Sequence, residues 1–256
     1  MANQTIKATG IVIKEIKTKE NDKIITVLSA EYGVINIYVK GAMRLKNKFH
    51  SATGLFTYSE FILFESRSSD LYQINEASVK HIFHRLSTNV EYLALAMYMS
   101  ELVCEVNVPD DMNEEILRLF LNMLYMMTNK KWSVSLCKAA FEMRLMSDTG
   151  FRPNLLGCKK CAEFEKQIFY FDTENGEIVC TDCWQPYDNG YYIAEMPCIM
   201  ALRYLAYADL EKMFTFNITG IALFQLCRIC ERYILEHTKY DYKTLEFFKS
   251  VHIEEK

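Results

Sequence analysis

The sequence predicts an α+β protein in three parts: a small N-terminal β-barrel, an all-helical domain, and a four-cysteine module inserted into that domain. Short β-prone runs fill the first 76 residues, after which the apolar period becomes that of helices. Two C-x-x-C pairs then interrupt the helical region. We expect the barrel at residues 1–80, the helical domain at 81–157 and 184–256, and the inserted module at 158–183.

Composition places the chain among globular proteins. It has 256 residues, half of them hydrophobic, which is enough for a sizeable core. The N-terminus has no apolar signal segment, and the longest run without a charged residue is residues 213–227. We therefore expect neither secretion nor a membrane span. Nine cysteines, an odd number, are typical of reduced thiols in the cytoplasm.

Five β-prone runs separated by turn residues predict the barrel. They are residues 9–16, 23–30, 34–40, 55–64 and 71–75. In the third run apolar and polar residues alternate, so one side of that strand faces a core and the other faces water. Five such antiparallel strands fit a small barrel of the OB type, a fold that binds single strands through one sheet face and its loops.

The barrel end of the chain is basic although the whole chain is acidic. The first 50 residues carry nine Lys/Arg and four Asp/Glu, a local charge of +5, while the net charge is −4. This asymmetry indicates a face that meets a polyanion, and a solvated lysine-rich surface is the alternative. The third strand leads into residues 40–48, which we predict to be a long, flexible basic loop. Tyr38 beside Lys40 suits base stacking and phosphate contact, although an exposed strand tyrosine without a ligand fits equally.

Helical signals begin at residues 88–91, where the sequence TNVE matches a capping box before a helix at 92–106. Pro109 ends that helix, and Asn113 can cap a second one. A third helix is predicted at 135–148 with Gly150 as its C′ residue, and two more at 197–207 and 219–237. Methionines and aromatic residues crowd these helices, which indicates a packed core or, alternatively, a peptide groove.

The four cysteines of the inserted module have the spacing of a zinc site. Cys158 and Cys161 form one C-x-x-C pair, and Cys180 and Cys183 form another after 18 residues. Two β-prone runs around a turn ending in Asn-Gly predict a hairpin that returns the second pair to the first. Four thiolates satisfy tetrahedral zinc and leave no position for water, so the sequence predicts one structural Zn²⁺. Disulfides and a thiol redox centre are the alternatives.

A third C-x-x-C pair, Cys227 and Cys230, lies in the middle of a predicted helix on its apolar stripe. That position favours a role in the core, and a thiol oxidoreductase is the alternative. The sequence contains no phosphate-binding loop, nucleophile elbow, zinc-protease motif or dinucleotide fingerprint, so an enzyme is not indicated.

Three stretches carry a resemblance to a known family. They are the opening strand ATGIVI at residues 8–13, the turn EYG at 31–33 before VINIYVKGA at 34–42, and residues 145–161 with their GFRPNL lead-in to the first cysteine pair. Together with the order of the three parts, they make the whole chain similar to the bacterial recombination mediator family RecO.

The resemblance implies a non-enzymatic DNA repair protein that binds single- and double-stranded DNA and anneals complementary strands. It implies partnership with RecR and with the C-terminal tail of single-stranded DNA-binding protein in loading RecA, within the RecF pathway. Such a protein is cytoplasmic and associates with the nucleoid during repair.

The family's DNA contacts carry over to the basic loop and its surroundings. With Tyr38, the candidate DNA-binding residues are Lys14, Lys17, Lys23, Lys40, Arg44, Lys46 and Lys48. Because lysine is a point charge without bidentate geometry, we expect weak sequence preference and steep salt dependence. Composition alone suggests a pocket for the acidic, apolar tail near Arg118, Lys138, Arg144 and Arg203. The alternative function is a zinc-stapled protein-interaction scaffold that does not bind DNA.

Overall fold

A computed structural model describes residues 5–18, 20–44, 46–65, 71–106, 108, 110–185 and 190–252. Lys19 and Leu45 of the basic end, and Pro109 at the predicted helix end, lie outside the described residues. The chain forms two compact units, Met1–Thr128 and Asn129–Lys256. The domain boundaries expected from the sequence, at residues 80, 157 and 183, stay a prediction.

The first unit begins with five strands that close into a barrel, which confirms the predicted architecture. The order around the barrel is β1-β2-β3-β5-β4, and the only parallel neighbours in it are β3 and β5. The strands are β1 (Thr5–Lys17), β2 (Lys23–Ser29), β3 (Gly33–Val39), β4 (Thr57–Phe64) and β5 (Tyr72–Ile82).

The barrel core follows from strand periodicity. Alternate residues of β3, Ile35, Ile37 and Val39, are buried inside the barrel, and their neighbours face outward. Gly10 of β1 lies against β2 so closely that an added Cβ would be 2.3 Å from the backbone oxygen of Leu28. The close approach of these two strands therefore requires glycine at this position.

Two helices complete the first unit: α1 (Val90–Glu105) and α2 (Asn113–Thr128), each preceded by a short 3₁₀ helix. The predicted capping box is wrong by one residue, because Asn89 caps α1 by accepting a hydrogen bond from the Tyr92 backbone N–H. The Thr88 hydroxyl instead donates to the Arg85 carbonyl within the preceding 3₁₀ helix (His84–Thr88). An N-cap residue has non-helical backbone angles, and Asn89 is extended, with φ −133° and ψ 113°, whereas Thr88 is still in the 3₁₀ helix.

The second unit surrounds α3 (Val134–Asp148), a helix buried on nearly all sides. The side chain of Ser133 caps it, and Gly150 follows it with a φ of +96°, which confirms the predicted C′ glycine. The other helices of the unit are α4 (Met196–Tyr207), α5 (Leu210–Met213), α6 (Gly220–Thr238) and α7 (Lys243–Val251). Of these, α4 and α6 were predicted, while the short α5 and the C-terminal α7 were missed.

A four-stranded sheet of order β6-β8-β7-β9 holds the inserted cysteines. The predicted hairpin is present as β7 (Ile168–Asp172) and β8 (Glu177–Cys180), with Gly176 at a φ of +65° in the turn. The flanking strands β6 (Asn154–Cys158) and β9 (Tyr191–Glu195) were not predicted. Each has only five residues and is defined by pairing with the hairpin, so periodicity along the chain gives no signal for it.

Candidate metal centre and nucleic-acid interface

Four cysteine thiols converge in the second unit. The Sγ atoms of Cys158, Cys161, Cys180 and Cys183 all lie within 4.8 Å of one another. Cys158 ends β6 and Cys180 ends β8, and these strands are parallel neighbours, so the first cysteine of each pair leaves the sheet at the same edge. The sequence therefore brings the two pairs together by ending two adjacent strands on a cysteine.

Tight turns place the second cysteine of each pair. The Ala162 N–H donates to the Cys158 carbonyl at 2.8 Å, and Ala162 has a left-handed φ of +62°. The Trp184 N–H donates to the Cys180 carbonyl at 2.9 Å. A Cβ on Gly157 would lie 2.8 Å from the Ala162 oxygen, so the first turn requires glycine there.

Backbone donors around the sulfur of Cys158 favour its ionised form. Burial opposes ionisation, but N–H groups of Cys180, Lys160 and Cys161 overcome it and lower the pKa of Cys158 to about 6. One of these donors, the Lys160 N–H, lies 3.4 Å from Sγ. Hydrogen bonds to the sulfurs of Cys161 and Cys180 raise the pKa of Cys183 to about 12. The turn around Cys158 thus stabilises a thiolate, the form in which cysteine binds a metal ion.

The donor set fits a single tetrahedral metal ion. A zinc ion with Zn–S bonds of about 2.3 Å separates its sulfurs by about 3.8 Å. The Sγ atoms of Cys161 and Cys180 lie 3.6 Å apart, too far for a disulfide bond, and all nine cysteines of the chain are free. Four sulfurs complete the coordination, so the geometry suits a structural ion and leaves no position for substrate.

Contacts outside the cluster support the second cysteine pair. The rings of Tyr170 on β7 and Trp184 stack with centroids 4.2 Å apart and planes 9° apart. The Lys160 ammonium donates to the Cys183 carbonyl at 3.0 Å. These contacts join the second turn to the sheet and to the first turn, so the four thiols are positioned by protein contacts as well as by any ion they hold.

The predicted basic loop, which we call the basic segment (residues 40–48), forms a succession of turns over its described residues, 40–44 and 46–48. Backbone N–H groups of Arg44 and Asn47 donate to the carbonyls of Gly41 and Arg44 at 3.0 and 2.9 Å. The Asn47 side-chain amide donates to the Lys40 carbonyl at 3.1 Å. Hydrogen bonds within the segment therefore form part of its turns, while the side chains of Lys40, Arg44, Lys46 and Lys48 remain exposed.

Three of those cations border an open cleft of about 480 Å³ on the first unit. Its lining residues are Asp22, Lys40, Gly41, Arg44, Lys46 and Asn47. Lys48 is also exposed, and its ammonium lies 4.7 Å from the ring centroid of Phe49. The structure thus brings Lys40, Arg44 and Lys46 around one concave surface, together with the carboxylate of Asp22.

The remaining predicted DNA-binding residues differ in exposure. Lys14 and Lys17 are exposed on β1. Lys23 is 6 % exposed, and its ammonium donates to the Thr53 carbonyl at 2.6 Å and to Glu15 at 2.9 Å. The Tyr38 hydroxyl donates to the Asp22 carboxylate. Lys23 is therefore engaged in holding the barrel, and Tyr38 is half-buried with its hydroxyl occupied.

Sequence reasoning missed two residues of the cleft, Asp22 and Asn47. Both are ordinary turn residues by type, so their sequence context indicates a turn and nothing more. Asp22 lines the cleft through a hydrogen bond to Gly41, a residue distant in the chain, which only the folded barrel provides. Asn47 bonds to Lys40 within the same segment, and its residue type does not reveal that contact.

Three of the cations suggested for a tail-binding pocket are instead buried structural groups. The Lys138 ammonium lies 2.7 Å from Glu142 and 2.8 Å from Glu231. Arg144 pairs with Asp148 at 2.7 Å, and Arg203 donates to the Leu155 carbonyl at 2.7 Å. The composition argument is wrong for these three residues. Their charges are buried and paired with groups of the protein interior, so they are not exposed to an acidic tail.

The Cys227 and Cys230 pair is consistent with the core interpretation. Burial raises the pKa of the Cys230 thiol well above its usual value, and the Cys227 thiol lies 3.5 Å from the Ser135 carbonyl. Such a thiol is a poor nucleophile.

Among the described residues, no helix is both long and apolar enough to cross a bilayer.

The chain is an OB-type barrel protein with a helical region and a cluster of four cysteines that could hold a metal ion. The chain matches the family models for the recombination protein O N terminal over residues 1–83 and the recombination protein O C terminal over residues 87–246.

Curated relatives cover almost the whole chain. It is 32% identical over 246 residues to the DNA repair protein RecO of Acetivibrio thermocellus, covering 96% of this chain and 97% of that protein. Proteins of the same name from Caldicellulosiruptor saccharolyticus and Alkaliphilus metalliredigens are 30% and 28% identical, over 96% of this chain and 98% and 99% of theirs. The chain belongs to the recombination protein O (RecO) family.

Proposed function

We propose that this chain is a non-enzymatic DNA repair protein that binds single- and double-stranded DNA and anneals complementary strands. The observation that carries the proposal is the cleft bordered by Lys40, Arg44 and Lys46, in a chain of the RecO family. Exposed cations around a concave surface attract phosphate and release counterions, which gives binding without a base code. Lysine predominates, so the contacts are point charges and the sequence preference is weak.

The DNA surface that we propose includes Lys48 beside the cleft, with Lys14 and Lys17 on β1 as further contacts. Lys23 is left out because it is buried and paired. Tyr38 is left out as a stacking platform because its hydroxyl is bonded to Asp22 and its ring is half-buried. Tyr38 is therefore not proposed as a base-stacking residue, and phosphate contacts by the exposed cations are proposed as the source of affinity.

The test is the anisotropy of a labelled single-stranded oligonucleotide across a salt series. We expect native protein to bind with a clear negative salt slope, and the variant Arg44→Glu, Lys46→Glu, Lys48→Glu to lose affinity and most of the slope. The matched control is Lys130→Glu, Lys239→Glu, Lys243→Glu, which makes the same charge change at exposed positions of the second unit. Equal loss in both variants would show that net charge, not the basic segment, determines binding.

The four-cysteine cluster is proposed to hold one structural Zn²⁺. The support is the distance of 4.8 Å or less between all four sulfurs and the all-thiolate donor set, which favours zinc among common metals. Zinc bound there stabilises the fold, because the binding free energy of a structural site is part of the folding free energy. Metal analysis of the purified protein, expected to give one zinc per chain, checks this.

The proposed partners are inferred from membership of the RecO family and not from the geometry of the cleft or the cysteine cluster. We propose cooperation with RecR and with the C-terminal tail of single-stranded DNA-binding protein in loading RecA. The check is RecA filament formation on DNA coated by single-stranded DNA-binding protein, with and without RecR. If the chain neither binds nor anneals DNA at low salt, it is a zinc-stapled interaction scaffold.

A further inference from the structure

Asp22, in the connection between β1 and β2, reaches across to the start of the basic segment. One carboxylate oxygen accepts a hydrogen bond from the backbone N–H of Gly41 at 2.7 Å, and the other accepts from the Tyr38 hydroxyl. Next to it, the Asn21 carbonyl accepts from the Met43 N–H at 3.0 Å. Three hydrogen bonds therefore tie this connection to residues 38–43, where β3 ends and the basic segment begins.

These hydrogen bonds lie at the turn that sets the direction of the cationic side chains. Gly41 has a φ of +64°, so the chain leaves β3 through a left-handed residue that is hydrogen-bonded on both sides. Its N–H is held by Asp22, and its carbonyl accepts from the Arg44 N–H at 3.0 Å. The direction in which Arg44 and Lys46 leave the barrel depends on this turn, and the turn depends on Asp22.

The negative charge of Asp22 and the hydrogen bonds of Asp22 have opposite expected effects on DNA binding. Its carboxylate lines the same cleft as Lys40, Arg44 and Lys46, so as a charge it weakens the attraction of the cleft for phosphate. As a hydrogen-bond acceptor it holds the turn that points those cations into the cleft. These two roles predict opposite results when Asp22 is changed, which makes them separable by experiment.

We propose that Asp22 is a positioning residue for DNA contact by the basic segment, acting through Gly41 and Tyr38. The inference rests on the function proposed above and deepens it, because it names the group that orders the DNA-contacting turn. Tyr38 belongs to the same arrangement: it connects β3 to the turn through Asp22, and its hydroxyl is not offered to a ligand.

Two substitutions separate geometry from charge. Asp22→Asn removes the charge but keeps an oxygen to accept from Gly41 and an amide to donate to the Tyr38 oxygen. Asp22→Ala removes charge and bonds together. We expect Asp22→Ala to bind single-stranded DNA about tenfold more weakly at low salt, the effect of losing about one or two phosphate contacts. We expect Asp22→Asn to bind as tightly as native protein or more tightly.

Limited trypsin digestion gives a readout that does not involve DNA. The basic segment contains four cleavage sites, Lys40, Arg44, Lys46 and Lys48. Without the Asp22 bonds the turns open more often, so Asp22→Ala is cut faster within residues 40–48, while Asp22→Asn is cut at the native rate. Mass spectrometry assigns the cuts, and thermal melting verifies that each variant is folded. Glu20→Ala, an exposed acid in the same connection, is the matched control for loss of charge alone.

Each outcome decides the proposal. If Asp22→Ala binds DNA as tightly as Asp22→Asn, Asp22 acts only as a charge and the proposal fails. It also fails if Asp22→Ala is digested within the segment at the native rate. If instead the triple Glu variant of Arg44, Lys46 and Lys48 binds DNA normally, the DNA site proposed above is wrong, and digestion alone still shows whether Asp22 orders the turn.

Discussion

The two units use the same kinds of residue for opposite purposes. In the first unit Lys40, Arg44 and Lys46 are exposed around a cleft, while in the second Lys138 and Arg144 are buried in ion pairs. Burial opposes the charged form of Lys138, but Glu142 and Glu231 outweigh it and raise its pKa. The comparison shows that a cation in a sequence says little about binding until its burial is known.

The cysteine cluster and the basic segment differ in a second way. The cluster is set by strand ends and four-residue turns. The basic segment is instead oriented by hydrogen bonds that its Gly41 and Met43 N–H groups donate to Asp22 and Asn21, about twenty residues earlier in the chain. The comparison predicts that changes in the second unit act mainly on stability, and changes in the basic segment mainly on binding.

The largest effect is expected from the cysteine cluster. Cys158→Ser or Cys180→Ser should release the metal and lower stability by several kcal/mol, because structural zinc in zinc-finger peptides contributes about 10–16 kcal/mol. Metal content by chelator titration and thermal melting measure the two results. The control is Cys104→Ser, at an exposed cysteine of the first unit. Native metal content in both cluster variants would contradict the site assignment.

A buried ion pair comes next. Lys138→Met removes the cation beside the fully buried Glu142, whereas Glu231 keeps its pair with Lys249, and breaking a buried pair typically costs about 3–5 kcal/mol. Urea denaturation measures the change in unfolding free energy. The matched variant Lys130→Met, at an exposed lysine of the same unit, should change stability little. Similar stabilities for the two variants would remove the distinction between buried and exposed cations on which the comparison rests.

Substitution of two lysines of the first unit should have opposite effects: one should change DNA binding and the other should change stability. Lys46→Ala should leave the urea midpoint unchanged and reduce the salt slope of single-strand binding by about 0.7, the value of one phosphate contact. Lys23→Ala should destabilise the protein by about 1–3 kcal/mol, because it leaves the buried Thr53 carbonyl without its donor. Its slope should stay native. A reduced slope in Lys23→Ala at full folding would return that residue to the DNA surface.

The smallest effect is expected from an exposed ion pair. Hydrogen bonds from Lys7 and Lys80 lower the pKa of Glu60 below its usual value of 4.5. Because the folded pKa is depressed, Glu60 stabilises the fold above pH 4.5, and that contribution is lost as pH falls through the folded value. Glu60→Gln should therefore differ slightly from native protein at pH 7 and converge with it at acidic pH. Urea midpoints from pH 3 to 7 test this, and a constant difference would contradict it.

Much of the candidate metal site could be predicted from the chain because its determinants are local. The C-x-x-C spacing and the Asn-Gly turn between the two pairs are short-range signals, and both are confirmed. The basic segment was identified by its charge, but the hydrogen bonds that form its turns were not. Its turns are held by Asp22 and by the Asn47 amide, which carry no signal of that role in the sequence.

The sequence by itself determined the five strands of the barrel, the main helices and the four thiols, because side-chain periodicity and fixed spacings act over a few residues. Only the tertiary structure decided which lysines face water and how β6 and β9 extend the hairpin into a sheet. The burial of a lysine and the pairing of a short strand depend on residues that are distant in the chain. Periodicity and spacing are local signals, so they do not predict these features.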